Sequence, residues 1–350
     1  MPKSPALLRL LDKMAPQVRK AFERSLHDIT SDVLLKTVVD ALEKGDVEKA
    51  LRALHLGSEY FAPLDQALRD GYERGGQWAM ASFVTEAKRQ GANTVRARFD
   101  SRNFRAEVFL RTQSSRLITG LVEEQREMVR AVMVKRMVEG ASPRSVALDI
   151  VGRLSKATGK REGGIIGLSP NQEQAARRAF EELRSGELVD LRSYLGRSLR
   201  DRRFDRVVGR AIRGGKAIGA KEAREIVSKY RGKLLRHRGE TIARTELLGS
   251  LHEAKDEGLR QIVDKGVVAD QDITKVWDAS ADSDTRESHR ALDDAQANGS
   301  DGVFTTITGA QMRFPGDRSL GAPASEIINC RCVLHTRIDF LGAAKREGLL

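Results

Sequence analysis

Cys330 and Cys332, the only two cysteines in the chain, stand one residue apart near its C-terminal end. A disulfide between positions i and i+2 is strained, because same-face Cβ atoms on a strand lie too far apart for an S–S bond. In a reducing compartment the pair is therefore two thiols. Thiolates and imidazoles together suit a tetrahedral zinc ion. On an extended strand both cysteines point to one face, as two ligands should, whereas His335 has the opposite parity. His289, on a helix expected after Asp284-Thr285, is the better third ligand, with Asp282 or Asp317 as a fourth. C-x-C with a distant histidine is a weaker metal signal than two spaced C-x-x-C pairs. Buried, hydrogen-bonded structural thiols are the preferred reading of the pair, with a zinc or similar metal site at His289, Cys330 and Cys332 as the alternative. A nucleophile pair of Cys330 and His289, oriented by Asp282, can also be drawn, but no local protease signature accompanies it. Arg244-Thr245-Glu246 with acids downstream is a similarly thin hint of a transferase or nuclease. No catalytic residue is assigned, and an enzyme is not expected.

A second chemistry lies upstream. Residues 197–240 hold 15 Lys+Arg against five acids. Arg200, Arg203, Arg206, Arg210 and Arg213 recur every three or four residues, a spacing that stacks them on one face of a helix. Phe204, Val208 and Ile212 would supply the opposite, buried seam. Such a ladder, about 20 Å long, matches phosphates along a nucleic-acid backbone. No aromatic set is interleaved for base stacking, so double-stranded DNA without sequence specificity is the expected ligand. An exposed face paired with acids elsewhere is the plain alternative. The formal net charge of +12 is unevenly spread: residues 241–350 hold 13 Lys+Arg and 18 Asp+Glu, leaving 48 basic and 31 acidic side chains in the first 240. That asymmetry suggests a polyanion or an acidic partner for the N-terminal part.

The elements that must position these residues follow from periodicity. With 40% hydrophobic, 5% aromatic and 31% charged residues, the composition favours Leu/Ala/Val-packed helices with solvated faces. Residues 5–90 read as successive amphipathic helices, with Gly71–Gly76 as a break or helix end. A polar connector is expected around 99–103. The helical period is strong from about 107 to 155, with Gly140 as a C-cap and Ser142-Pro143 opening the next helix. The Gly-rich stretch 158–168 lacks P-loop spacing and reads as a linker, after which Ser169-Pro170 starts another helix. A helix over about 239–265 leads into short apolar pieces at 274–277, 303–307, 312–314 and 332–335, separated by turns. The expected fold is α+β: a long, mainly helical N-terminal part, then a small C-terminal α+β domain with short antiparallel strands. Its segments are 1–105, a basic helical region at 106–238, and the C-terminal domain at 239–340. Charges at Arg9, Asp12 and Lys13 interrupt any signal-peptide stretch, and no apolar run is long enough to cross a membrane.

One ordered series of residues has a counterpart in a known family. Ile242-Ala243-Arg244-Thr245-Glu246, then Trp277, then Asp282-x-Asp284-Thr285-Arg286-x-x-His289, Phe304, Pro315-Gly316-Asp317 and Glu326-Ile-Ile-Asn329-Cys330-Arg-Cys332 resemble the phage Mu F-like head morphogenesis family. GLSPNQ (167–172) and SYLGRSLRDRRFD (193–205) are also similar to it. Asp284 departs from the family, which usually has arginine there. The resemblance implies a minor head protein of a tailed phage or prophage. Such a protein acts structurally in procapsid assembly at the portal vertex, with the portal protein and capsid or scaffold proteins as partners. It also implies assembly in the bacterial host cytoplasm and a place in the virion head interior. Arg244, Glu246, Trp277, Asp282, Arg286, Asp317 and Asn329 would be signature residues of structural role. A metal-dependent enzyme or nuclease acting on phage DNA is the alternative.

Overall fold

A computed structural model describes residues 5–280 and 282–347. The N-terminal helices are α1 (Pro5–Asp32), α2 (Leu35–Glu43), α3 (Val47–Arg52) and α4 (Ala62–Arg89), followed by α5 (Phe104–Val138) and α6 (Pro143–Val151). A two-residue hairpin, β1 (Arg153–Leu154) and β2 (Arg161–Glu162), precedes α7 (Pro170–Ser185), α8 (Leu188–Gly196), α9 (Asp205–Gly214) and the 45-residue α10 (Ala220–Asp264). The rest is β3 (Ile273–Asp278), α11 (Glu287–Arg290), β4 (Gln296–Asn298), β5 (Phe304–Thr305), β6 (Gln311–Met312), α12 (Ala324–Ile327), β7 (Val333–Ile338) and α13 (Phe340–Arg346). This is the α+β architecture expected, with long helices ahead of a small region of short antiparallel strands. No helix among the described residues is long and apolar enough to cross a membrane.

Local rules explain most helix starts. Ser169 accepts from the Gln172 N–H while the Gln172 side chain returns to Ser169, a complete capping box, and Pro170 follows at the first helical position. Ser142 likewise accepts from the Ser145 N–H at the start of α6, with Pro143 next, but no side chain returns to it. Two expectations need correction. Gly71–Gly76 does not break a helix, since α4 runs through it. A Cβ on Gly75 would lie 3.2 Å from the Leu251 Cα and 3.3 Å from the Ala254 Cβ, and one on Gly71 would meet Leu247. These glycines let α4 pack closely on α10, and that packing outweighs their weak helix propensity. The helix expected from 239 instead begins at Ala220.

The chain forms two compact units, each discontinuous in sequence. One comprises Lys20–Leu64 and Ser115–Gly239. In it Gln125 fixes the Gly-rich segment after β2: its Nε2 donates to Leu168 O at 2.7 Å and its Oε1 accepts from the Gly167 N–H at 2.7 Å. Gly167 has φ +93° and lies against Leu26 and Leu235, so any side chain there would clash.

The other unit comprises Met1–Arg19, Asp65–Ser114 and Glu240–Leu350. Its sheet has the order β4-β3-β7, both pairings antiparallel, with Trp277 opposite Leu334. The outer edge of β7 is closed by helix side chains. Leu334 N–H donates to His252 Nε2 at 3.2 Å, and Lys255 Nζ donates to Leu334 O at 2.7 Å. At the far end Gln90 Nε2 donates to Ile338 O, and Phe340 N–H donates to Gln90 Oε1. Lys275, in the middle of β3, and Asp256 of α10 are both wholly buried and 2.7 Å apart. Arg260 (2.8 Å) and Arg313 (3.6 Å) hold the other Asp256 oxygen.

Two predictions follow from this helix-to-sheet contact. Asp256→Ala strands the Lys275 charge in the interior and should cost about 3–5 kcal/mol in urea unfolding, with part recovered when Lys275→Met is added. The second concerns acid. Burial pushes the His252 imidazole down to about 3, although its bond to Pro315 O acts in the opposite sense. The unfolded chain, with an ordinary value of about 6.5, then binds a proton that the folded chain refuses. Stability should therefore fall as pH drops from about 6.5 toward 3, with a slope of about 1.4 kcal/mol per pH unit from this group. Urea midpoints taken across that window should vary less for His252→Gln than for the parent.

Candidate metal centre

The segment after β3 is shaped by one aspartate. Asp282 Oδ2 accepts from the Ser280 hydroxyl at 2.7 Å, and its Oδ1 accepts from the Asp284 N–H at 3.1 Å and from Thr285 Oγ1 at 3.0 Å. This side-chain-made turn starts α11, a single turn carrying Ser288 and His289 inward. Arg331 Nη2 clamps the turn from outside, 2.8 Å from Asp282 and 3.2 Å from Asp284. Asp284 thus has an ion pair of its own.

Cys330, Arg331 and Cys332 approach β7 with side chains alternating as in a strand. Arg331 points out to Asp282, and both cysteines point in. Cys330 Sγ lies 3.4 Å and Cys332 Sγ 3.5 Å from the same atom, His289 Nδ1. All three residues are buried, and their ligand atoms lie within 4.8 Å of one another. On the other side of the ring, Nε2 is 3.0 Å from Glu326 Oε2, a close contact without the alignment of a hydrogen bond. Glu326, on α12, also accepts from Ser288 Oγ at 2.8 Å and from Thr308 Oγ1 at 2.7 Å. Burial alone would raise this carboxyl, but those two hydroxyls together with nearby His289 and Arg286 hold Glu326 below its ordinary value. Trp277 packs edge-on against His289, with centroids 5.1 Å apart, and against Phe304.

The two thiols act on each other. Cys330 is pushed up because it donates to Cys332 and is buried. Cys332 is pulled down because it accepts from Cys330 and faces His289. Cys332, His289 and Glu326 also form a thiol–imidazole–carboxylate line. Glu326, not Asp282, takes the orienting position. A nucleophile must reach its substrate, however, and Cys332 is 2% and His289 1% exposed.

The two aspartates expected as a fourth ligand serve elsewhere. Asp282 holds its turn, and Asp317 accepts from the Arg313 and Ser319 N–H groups at 2.9 and 2.8 Å, knotting the loop after β6. The remaining signature residues are structural contacts. Glu246 takes both Arg318 terminal nitrogens at 2.8 and 3.1 Å, and Arg244 pairs with Asp12 at 3.4 Å. Arg286 donates to Ile328 O. Asn329 takes φ +57°, a left-handed conformation that asparagine tolerates, and donates its N–H to Thr245 Oγ1 at 3.1 Å. Trp277 is a fully buried core residue. His335 lies 3.2 Å from Asp278, away from the cluster.

The arginine ladder needs correction. Arg200 and Arg203 precede α9 and are neutralised locally: Arg200 is bidentate on Asp205 at 3.0 Å, and Arg203 pairs with Asp201 at 2.6 Å. Arg202–Phe204 form a separate 3-10 turn opened by the Asp201 side chain, and the helix starts only at Asp205, so the spacing alone misplaces Arg200 and Arg203. Arg206, Arg210 and Arg213 remain on α9 and are exposed. They span about 10 Å, half the length expected. Val208 is fully buried on the opposite side, flanked by the partly buried Phe204 and Ile212.

Glu326 is the site residue whose role was not read from sequence. Its signal was present: a carboxylate four positions before Cys330, in the same short segment.

Residues 203–335 match the family model described as phage Mu protein F like protein. No curated protein and no solved structure matches the chain.

Proposed function

From the premise that this chain is phage Mu F-like over residues 203–335, a family of phage head morphogenesis proteins, we propose that it is a minor head protein acting structurally at the portal vertex. The family match carries this reading. The portal protein and capsid or scaffold proteins are its partners in procapsid assembly in the host cytoplasm, and the head interior is its destination.

We infer further that α9 contacts packaged double-stranded DNA. Three arginines at i, i+4 and i+7 of a solvent-facing helix offer positive charge at about one helical turn each, without the acids that neutralise Arg200 and Arg203. Such contacts bind phosphate and release counterions, with no preference for sequence. The alternative, a metal-dependent nuclease centred on His289, Cys330 and Cys332, has less support. Those side chains are packed with Trp277, Phe304 and Leu334, out of reach of a duplex phosphate.

Co-expression with the portal protein of the same phage or prophage should yield a complex that survives purification at moderate salt, and its absence would sink the portal reading. For DNA, the measurement is the dependence of log Kobs on log salt. Replacing Arg206, Arg210 and Arg213 together by alanine should lower the slope by roughly 3, near 0.9 per lost phosphate contact. Arg200→Ala with Arg203→Ala should leave it unchanged. Equal slopes for parent and triple variant would remove α9 from the DNA contact.

A further inference from the structure

We propose that His289, Cys330 and Cys332 bind a zinc ion that staples α11 to the start of β7, with the fourth coordination position left to a small ligand from solvent. This stands independently of the role at the portal.

The first support is distance. Zinc bonds of about 2.3 Å to sulfur and 2.0–2.1 Å to nitrogen, set at a tetrahedral angle, place a sulfur and a nitrogen about 3.6 Å apart. The two contacts to His289 Nδ1 are 3.4 and 3.5 Å. Two sulfurs converging on one ring nitrogen make poor use of a weak S–H donor, but this is the spacing of donors around a common ion.

The second support lies behind the ring. Metal-bound histidines characteristically present their other nitrogen to a carboxylate, which fixes the ring and strengthens it as a ligand. Glu326 lies 3.0 Å from Nε2 and is itself held by Ser288 and Thr308. A ligand, its supporting carboxylate and that carboxylate's own two donors thus occur together in an interior that could have been filled by apolar side chains. Thiolate and imidazole donors with no carboxylate oxygen among them select zinc over magnesium or calcium.

The coordination number follows from the neighbours. Among the described residues no fourth His, Cys, Asp or Glu joins the group. Both Glu326 oxygens are engaged by hydroxyls, and both Asp282 oxygens are engaged in its turn. The fourth position is therefore left to a water or small anion, and a cavity of about 340 Å³ lined by Ala279, Ser280, Asp282 and Arg290 lies in the turn that leads to α11.

The consequence is mechanical. Cys330 follows His289 by 41 residues. An ion joining them closes a loop that carries β4, β5, β6 and α12, and the binding energy becomes folding energy.

The test uses the full-length chain purified without chelator. Elemental analysis should find about one zinc per chain. After removal of metal, adding zinc alone should raise Tm by several degrees, and cobalt in its place should give the absorption of a tetrahedral thiolate site. That spectrum should shift when a small anion such as azide is added. His289→Cys should keep the metal with an altered cobalt spectrum, whereas Cys330→Ser with Cys332→Ser should lose it. Glu326→Gln should keep it but weaken affinity on the order of 10–100-fold. Should the serine variants not fold, the parent decides. A metal-free parent with two freely titrating thiols and a Tm indifferent to zinc would overturn the proposal. So would full zinc retention in the double serine variant. A cobalt spectrum unmoved by azide would overturn the open fourth position.

Discussion

Much of the C-terminal unit depends on how α10 holds the edge strand β7. A strand edge buried under a helix leaves amide groups with neither water nor a neighbouring strand, and each unpaired group costs about 1–3 kcal/mol. His252 and Lys255, one helical turn apart, meet both backbone groups of Leu334 at once. This fixes β7 along the helix as well as across the sheet. Since Cys330 and Cys332 immediately precede β7, the same two bonds determine where the sulfurs stand. The Asp256–Lys275 pair then locks β3 to the same helix face. The thiol–imidazole cluster is therefore referenced to α10, although α10 contributes no member of it.

Legibility in the sequence tracked the range of the interaction responsible. Ser169-Pro170 and Ser142-Pro143 were readable because a cap is decided within four residues. The turns at Gly299, Gly309 and Gly316 were readable because glycine is almost alone in accepting their positive φ. The convergence of His289 with Cys330 and Cys332 was readable from donor chemistry and strand parity, without any knowledge of the chain path between them. Gly71 and Gly75 were misread because what justifies them is Leu247, Leu251 and Ala254, far away in sequence. The grouping of 65–114 with 240–350 was hidden for the same reason. The arginine ladder failed for the opposite cause. Its periodicity was sound, but acids at 201 and 205 act at closer range than the periodicity does.

Family signature and local physics agree at most positions, yet they explain different things. Asp282, Asp317 and Asn329 are the sort of residues that suggest chemistry when read as letters. In the structure each makes a turn: Asp282 before α11, Asp317 after β6, Asn329 before the cysteines. Their work is to deliver other residues. Glu326, by contrast, touches the imidazole directly. The signature is largely a record of how the loops are tied, with the ligand-capable residues held at the centre of the knots.

The closure of β7 by side chains has a bearing on how copies of this chain behave toward one another. An open edge strand is a template on which a second chain can pair, and crowded chains with such edges grow into sheets. His252, Lys255 and Gln90 occupy Leu334 and Ile338, at either end of the edge, with groups that cannot themselves extend a ladder. A second copy approaching the β7 side of the sheet thus meets a broken template there, and β4 forms the other edge.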